Sequence, residues 1–284
     1  MLPPVPLVPR LSPAVPGYEA GLGRYLGNEV LRAGGGWNTL KNQIGELPGP
    51  HMTAGLKAPA RNTPVDVELV FAVDSSDSME DWEWRLEMAG IAAAFRSKPV
   101  QDVIGSLPHG RVAVALLIWA DATKPADASP WRVIEGKASA ETFAAEVEGW
   151  PRRVGGGTGM GAGIAAAVRL IEASPFEASR RVVDVSGDGP EPLPLLTEYI
   201  IMMPEARALA ERAGVTVNGL AILKDMSQLY EWYQFYVPVG AGAFVMQIKT
   251  VKDFAPAFEM KLLRELQTEV AGLDRLPGPD LSPL

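Results

Sequence analysis

Residues 65–78 read Val65-Asp66-Val67-Glu68-Leu69-Val70-Phe71-Ala72-Val73-Asp74-Ser75-Ser76-Asp77-Ser78, an apolar run that stops abruptly at a cluster of oxygen-bearing side chains. The run is short, rich in β-branched residues and closed by turn formers, so it predicts a buried strand. Asp74, Ser76 and Ser78 alternate where that strand ends. A carboxylate and two hydroxyls at this spacing can turn several hard oxygen ligands toward one point, as a small divalent cation requires.

Two later segments supply what the first lacks. Thr158 sits in Gly155-Gly156-Gly157-Thr158-Gly159-Met160-Gly161, where glycines permit turns and close backbone approach. Asp188 follows the strand-like Arg181-Val182-Val183-Asp184-Val185-Ser186 and is flanked by Gly187 and Gly189. Three loops are thereby expected to converge on one ion.

Working outward, apolar strands alternate with amphipathic helices from residue 65 onward, the signature of a parallel sheet covered on both faces. Strands are expected at 66–73, 111–119, 181–187, 215–222 and 243–247, with a short edge strand around Trp131-Arg132-Val133-Ile134. Helices are expected near 80–96, 139–148, 160–173, 203–213, 226–236 and 252–268. The fold class is therefore α/β, doubly wound and mostly parallel. Ligands of such sheets bind beyond the carboxyl ends of the strands, which is where Asp74 and Asp188 fall.

Asp74, Ser76, Ser78, Thr158 and Asp188 resemble, in order, the metal-ion-dependent adhesion site of the von Willebrand factor A (vWA) superfamily, whose pattern is Asp-x-Ser-x-Ser, a distant Thr and a distant Asp. The stretches Val182–Gly189, Gly214–Leu223 and Gly240–Val245 are similar to a bacterial branch known as domain of unknown function 1194. The resemblance covers roughly residues 65–268. It implies a vWA-like, Rossmann-like sheet and a divalent cation, Mg²⁺ first and Mn²⁺ or Ca²⁺ as alternatives. It also implies a protein partner presenting an Asp or Glu that completes the metal coordination. Members of that branch usually begin with an export signal, which implies a periplasmic or secreted protein.

Composition narrows the remaining classes. The net charge is -8 and no cluster of Lys and Arg interleaved with aromatics occurs, so a nucleic-acid backbone has no electrostatic footprint to meet. There is no cysteine, which removes disulfides, thiolate metal sites and Cys nucleophiles together. The two histidines, His51 and His109, lie far in sequence from the three loops, so an all-oxygen site is favoured over a His-rich one. No stretch approaches the roughly 18 apolar residues of a membrane span. Prolines interrupt Met1–Arg10, so no export signal is readable there.

Residues 1–64 contain ten of the 25 prolines and carry a local charge of +3, which leaves -11 for the remainder. They are expected to form an irregular leader, disordered or loosely packed, with room for a short helix near Tyr18–Leu31. Residues 65–274 are expected to form the vWA-like domain, and 275–284 a flexible tail.

Several residues admit competing readings. Gly157–Ala162 also fits a loose Gly-x-Gly-x-x-Ala fingerprint, but the preceding Trp150-Pro151-Arg152-Arg153-Val154 is a poor strand, which disfavours a dinucleotide site. Asp77 either faces solvent or adds negative charge near the ion; the solvent reading is favoured, for Ser75 as well, because the alternating ligand pattern is complete without them. Asp184, inside an apolar strand, needs a partner, either an Arg or backbone donors near the sheet edge, and supporting Asp188 from behind is also open to it. Trp119 and Asp121 either line the mouth of the site or, for Trp119, pack in the core. No nucleophile elbow, Walker lysine loop or placed histidine base is present. The reading is a non-enzymatic, cation-dependent protein-binding domain; the alternatives are a metal-assisted hydrolase and a subunit of an ATP-driven assembly.

Overall fold

A computed structural model describes residues 63–192, 200–224 and 226–267. The expected tail, the Tyr18–Leu31 helix and all of the leader up to residue 62 lie outside the described residues. Thr63 and Pro64, assigned to the leader, already belong to the first strand.

The strands in chain order are β1 (Thr63–Asp74), β2 (Val112–Trp119), β3 (Asp127–Ala128), β4 (Arg132–Ile134), β5 (Phe176–Gly187), β6 (Thr216–Ile222) and β7 (Val245–Ile248). Their order across the sheet is β3-β2-β1-β5-β6-β7, with β4 also paired to β2. β1, β2, β5, β6 and β7 run parallel. The two-residue β3 and three-residue β4 pair antiparallel with β2. β1 is hydrogen-bonded on both edges and covered on both faces, and every residue from Val65 to Asp74 is buried. That position explains why its sequence is a nearly unbroken apolar run and not an alternating one.

The helices are α1 (Asp81–Arg96), α2 (Lys98–Ser106), α3 (Lys137–Glu148), α4 (Met160–Glu172), α5 (Met203–Ala213), α6 (Leu229–Tyr236) and α7 (Phe254–Gln267), the last preceded by a 3-10 turn at Val251–Asp253. α1, α2, α3 and α7 share one core with Val67, Leu69, Phe71 and Val73 of β1. Phe71 anchors it, with ring centroids 5.7 Å from Phe95 and 5.3 Å from Phe258. Aromatic pairs at this spacing add to area burial. On the other face α4 lies over β1, β2 and β5, with α5 beside it. The approach is close because α4 is built from small residues: a β-carbon on Gly163 would stand 2.6 Å from Trp119 Cγ. Trp119 is therefore a core side chain.

α2 was not expected, and β5 begins five residues before the expected Arg181. Pro99 looks like a helix stop after α1. Here it lies in the first turn of α2, where its missing N–H costs nothing, and the Ser97 side chain caps that turn. The β5 extension, Phe176-Glu177-Ala178-Ser179-Arg180, alternates polar and apolar residues and is held by pairing with the start of β1. Among the described residues Asp184 pairs with neither an arginine nor backbone donors. It meets Lys261 of α7, whose ammonium also contacts Glu265 Oε1 at 2.8 Å, all three being buried.

Candidate metal centre

The parallel register places the carboxyl ends of β1 and β5 side by side, with Val73 opposite Ser186. β1 connects to β2 on one edge and has β5 on the other. Asp74 and Asp188 thus emerge into one crevice at the point where strand order reverses.

Asp74 Oδ1 accepts the Ser76 backbone N–H at 2.7 Å, a local turn that folds the loop back over the strand end. The Ser76 and Ser78 hydroxyls lie 3.0 Å apart, and Ser78 Oγ donates to Asp188 Oδ1 at 2.6 Å. Asp74 and Asp188 are 0% and 7% exposed, so both carboxylates are out of bulk water. Asp74 Oδ2 is buried with no hydrogen-bond partner among the described residues. Burial pushes the Asp74 pKa up to about 7, and the neighbouring charge of Asp188 adds to the rise against the opposing Ser76 bond. The site therefore concentrates negative charge that a cation would relieve.

Thr158 reaches this crevice from the glycine loop. Its Oγ1 would lie 3.7 Å from a β-carbon at Gly189, which sets the hydroxyl beside the Asp188 loop. Gly156 has φ +119, open to glycine and strained for other residues, and a β-carbon there would also press on Asp121 at 3.0 Å. Gly159 passes so close to the chain that a β-carbon would lie 2.4 Å from Ala122 N. The loop thus needs its glycines to bring Thr158 in. Asp121 lies against the same loop: Oδ1 accepts from the Thr123 N–H and hydroxyl at 2.8 and 2.6 Å, and Oδ2 would lie 3.0 Å from a β-carbon on Gly156.

The reading of Ser75 as solvent-facing is corrected, whereas Asp77 is exposed as expected and nevertheless makes a specific tie. Asp77 Oδ1 accepts from Gly156 N at 2.8 Å while Asp77 N donates to Gly156 O at 2.9 Å, a reciprocal clasp between the serine loop and the threonine loop. Ser75 is buried and donates to Val154 O at 2.8 Å. Arg152 adds a third tie, from Nη2 to the Ser75 and Ser76 carbonyls at 3.1 and 2.8 Å. These pins fix the relative position of Asp74, Ser76, Ser78 and Thr158 without using their own side chains.

Beneath the crevice lies a cluster that the sequence reading missed. Glu87 of α1 is fully buried with both carboxyl oxygens unpartnered among the described residues, and burial and then the charges of Asp74 and Asp188 hold its pKa well above the carboxylate range. The Tyr233 hydroxyl of α6 would stand 2.8 Å from a β-carbon on Gly187, and Asp74 Oδ2 2.9 Å from the same point. Lys224, after β6, contacts Asp188 Oδ2 at 2.5 Å and Glu83 Oε2 at 2.6 Å. Glu191 Oε1 and Oε2 accept from Gly161 N and Met203 N at 2.7 and 2.8 Å, tying the starts of α4 and α5 together behind Thr158. A Glu at an exposed-looking helix position, such as Glu87 between Leu86 and Met88, carries no local sign that it will face a sheet end.

A family profile described as "Protein of unknown function (DUF1194)" matches residues 64–270. The chain belongs to the DUF1194 family. Comparison with curated protein sequences finds no match. Among solved structures, this DUF1194 chain is similar to the pilus adhesin SpaC from Lactobacillus rhamnosus GG in two crystal structures. Both are 14% identical and cover 73% of this chain and 31% of SpaC, with TM-scores of 0.52 and 0.50, the latter for the open conformation. Proximal thread matrix protein 1 from the mussel byssus, with zinc occupying its metal-ion-dependent adhesion site, is 16% identical over 74% of this chain and 49% of that one, at a TM-score of 0.48. The DUF1194 chain has a vWA-like fold, and it spans about a third of the length of the adhesin it matches. Among the described residues no helix is long and apolar enough to cross a membrane, and no group of three or more His, Asp or Glu side chains forms a metal cluster.

Proposed function

We propose that this protein is a divalent-cation-dependent protein-binding domain in which Asp74, Ser76, Ser78, Thr158 and Asp188 hold the ion. The observation that carries the reading is the buried, unpartnered Oδ2 of Asp74 beside the linked Ser76, Ser78 and Asp188 oxygens. A desolvated carboxylate oxygen left unpaired is costly, and a cation removes that cost. Hard oxygen donors without nitrogen or sulfur suit Mg²⁺, with Mn²⁺ or Ca²⁺ as substitutes.

When bound, Mg²⁺ would supply a positive Lewis-acidic point that retains exchangeable water. The chain's own part is positioning. The Asp77–Gly156 clasp and Arg152 hold the loops together; the Ser76 and Ser78 hydroxyls add neutral oxygens, so the site remains attractive to an outside anion. The partner is a protein offering an Asp or Glu side chain to the crevice. His109 lies at the opposite end of β1 from the crevice, its backbone N–H bonded to Asp66 Oδ1 at 2.9 Å, which favours binding over base-assisted turnover. The surface character of the pilus adhesin SpaC supports a location outside the cytoplasm.

The test is capture of partners from an extract by wild type, Thr158→Ala and Thr158→Val, with and without chelator. The proposal expects capture by wild type that chelator abolishes, and weakened capture by both variants, since each lacks one neutral oxygen and no charge. Chelator-sensitive capture at wild-type strength by both variants would remove Thr158 from the mechanism.

A further inference from the structure

Lys224 has the only positive φ, 42°, among the described residues other than glycine. A residue with a β-carbon resists that left-handed conformation, so something must hold it. The backbone is clamped to the end of the sheet: Leu223 N donates to Ile248 O at 2.9 Å, Lys224 N to Lys249 O at 3.0 Å, and Met226 N back to Leu223 O at 2.7 Å. The turn so formed sends the side chain across the crevice. Its Nζ lies 2.9 Å from Ser78 O, 2.6 Å from Glu83 Oε2 and 2.5 Å from Asp188 Oδ2. Those are as many oxygens as an ammonium has N–H groups, drawn from the β1 loop, α1 and the β5 loop.

Both oxygens of Asp188 are consequently engaged, Oδ1 by the Ser78 hydroxyl and Oδ2 by Lys224. An ion coming to this carboxylate meets a positive charge already on it. Two cations within a few ångströms of one partly buried carboxylate repel strongly. Neither Asp74 Oδ2 nor Asp188 Oδ2 has a hydrogen bond among the described residues, and the two differ in that only Asp188 Oδ2 carries an ion pair, the one to Lys224. The crevice is thus open on its Asp74 side and guarded on its Asp188 side. The Lys224 side chain is 23% exposed and the Asp188 side chain 0%, so the lysine has a route to water that the carboxylate lacks. Glu83, which also closes the capping box at the start of α1 through Glu80 N at 2.9 Å, gives the ammonium a second anchor after it leaves Asp188.

We infer that Lys224 is a built-in competitor of the divalent cation: its ammonium neutralises Asp188 in the ion-free protein and must leave Asp188 Oδ2 when the ion binds. This rests on the metal reading above. It makes the affinity for the ion a difference between two cations, and it couples occupancy to the left-handed backbone of Lys224. A competitor that holds the site most of the time lowers the apparent affinity by the fraction of time the site is free.

The test uses the full chain and the metal alone. Mg²⁺ and Mn²⁺ are titrated calorimetrically into wild type, Lys224→Met and Glu83→Gln. Lys224→Met is expected to bind about tenfold more tightly than wild type, as for a competitor occupying the site about nine-tenths of the time. Glu83→Gln, which removes an anchor without touching the lysine, keeps the ammonium on Asp188 and is expected to bind more weakly than Lys224→Met. The second measurement needs no variant: acetylation of wild type by a limiting amine reagent, read by mass spectrometry, should increase at Lys224 when saturating Mg²⁺ is present. Unchanged or weaker affinity in Lys224→Met, or equal Lys224 acetylation with and without the ion, overturns the inference while leaving the metal site standing. If wild type and Lys224→Met both fail to bind either ion, the metal reading falls and this inference with it.

Discussion

Glu68 offers a clean measure of what buried charge costs this fold. It sits in the middle of β1 at 2% exposure, with Oε2 unpartnered among the described residues. Burial pushes its pKa from 4.5 up to about 7, against smaller opposing effects of the Ser174 hydroxyl and the Arg181 charge. Because the folded value exceeds the unfolded one, the folded chain holds the proton more tightly. The stabilisation this gives is fully present below about pH 4.5 and is lost as pH rises through about 7. At about 1.4 kcal/mol per pH unit over that window, the loss between about pH 5 and about pH 8 is about 2.5 kcal/mol. Glu68→Gln keeps the shape and is neutral throughout. Relative to wild type it should be close to neutral near pH 5 and more stable by about 2 kcal/mol near pH 8, measured by urea unfolding at both pH values. Asp74, Asp184 and Glu191, each raised to about 7, tilt both proteins alike and cancel in the difference. A wild-type-to-variant gap that is the same at both pH values would show that Glu68 is not held neutral by its surroundings.

Lys261→Met removes the cation shared by Asp184 and Glu265 in a fully buried network; it should cost about 3 kcal/mol in urea unfolding, and a loss below about 1 kcal/mol would mean the two acids neutralise without it. Glu191→Ala leaves the Gly161 and Met203 N–H groups unpaired, so a destabilisation of about 2 kcal/mol should accompany faster hydrogen exchange at those two amides. Asp77→Ala breaks the clasp on Gly156 without altering a proposed ligand; it should leave the thermal midpoint within about 2 °C yet weaken ion-dependent partner capture, and full capture would make the clasp irrelevant to the site.

The parallel strands and the positions of Asp74 and Asp188 were legible because burial on both faces writes itself as apolar runs, and because a polar cluster just past such a run has few other uses. The five proposed ligands fall on three loops that the fold brings together, Asp74, Ser76, Ser78 and Asp188 through hydrogen bonds and Thr158 by its approach to Gly189. What surrounds them was not legible. Lys224 and Glu87 act across the sheet, at separations set by how α1 and the β6 turn pack, and nothing in their local sequence distinguishes them from solvent-facing charges. Asp184 was flagged as needing a partner, but the partner is on α7, which only the three-dimensional packing reveals. α2 was lost because a proline after Lys98 looks the same whether it ends one helix or starts the next.

The central claim, that Asp74, Ser76, Ser78, Thr158 and Asp188 form a divalent-cation site, is tested most directly by calorimetric titration of Mn²⁺ into wild type and Asp188→Ala, with circular dichroism confirming that both are folded. The account predicts about one ion per wild-type chain and an affinity at least about tenfold weaker, a difference of about 1.4 kcal/mol, in Asp188→Ala. Equal affinities in the two folded proteins, or no binding by wild type, would contradict it.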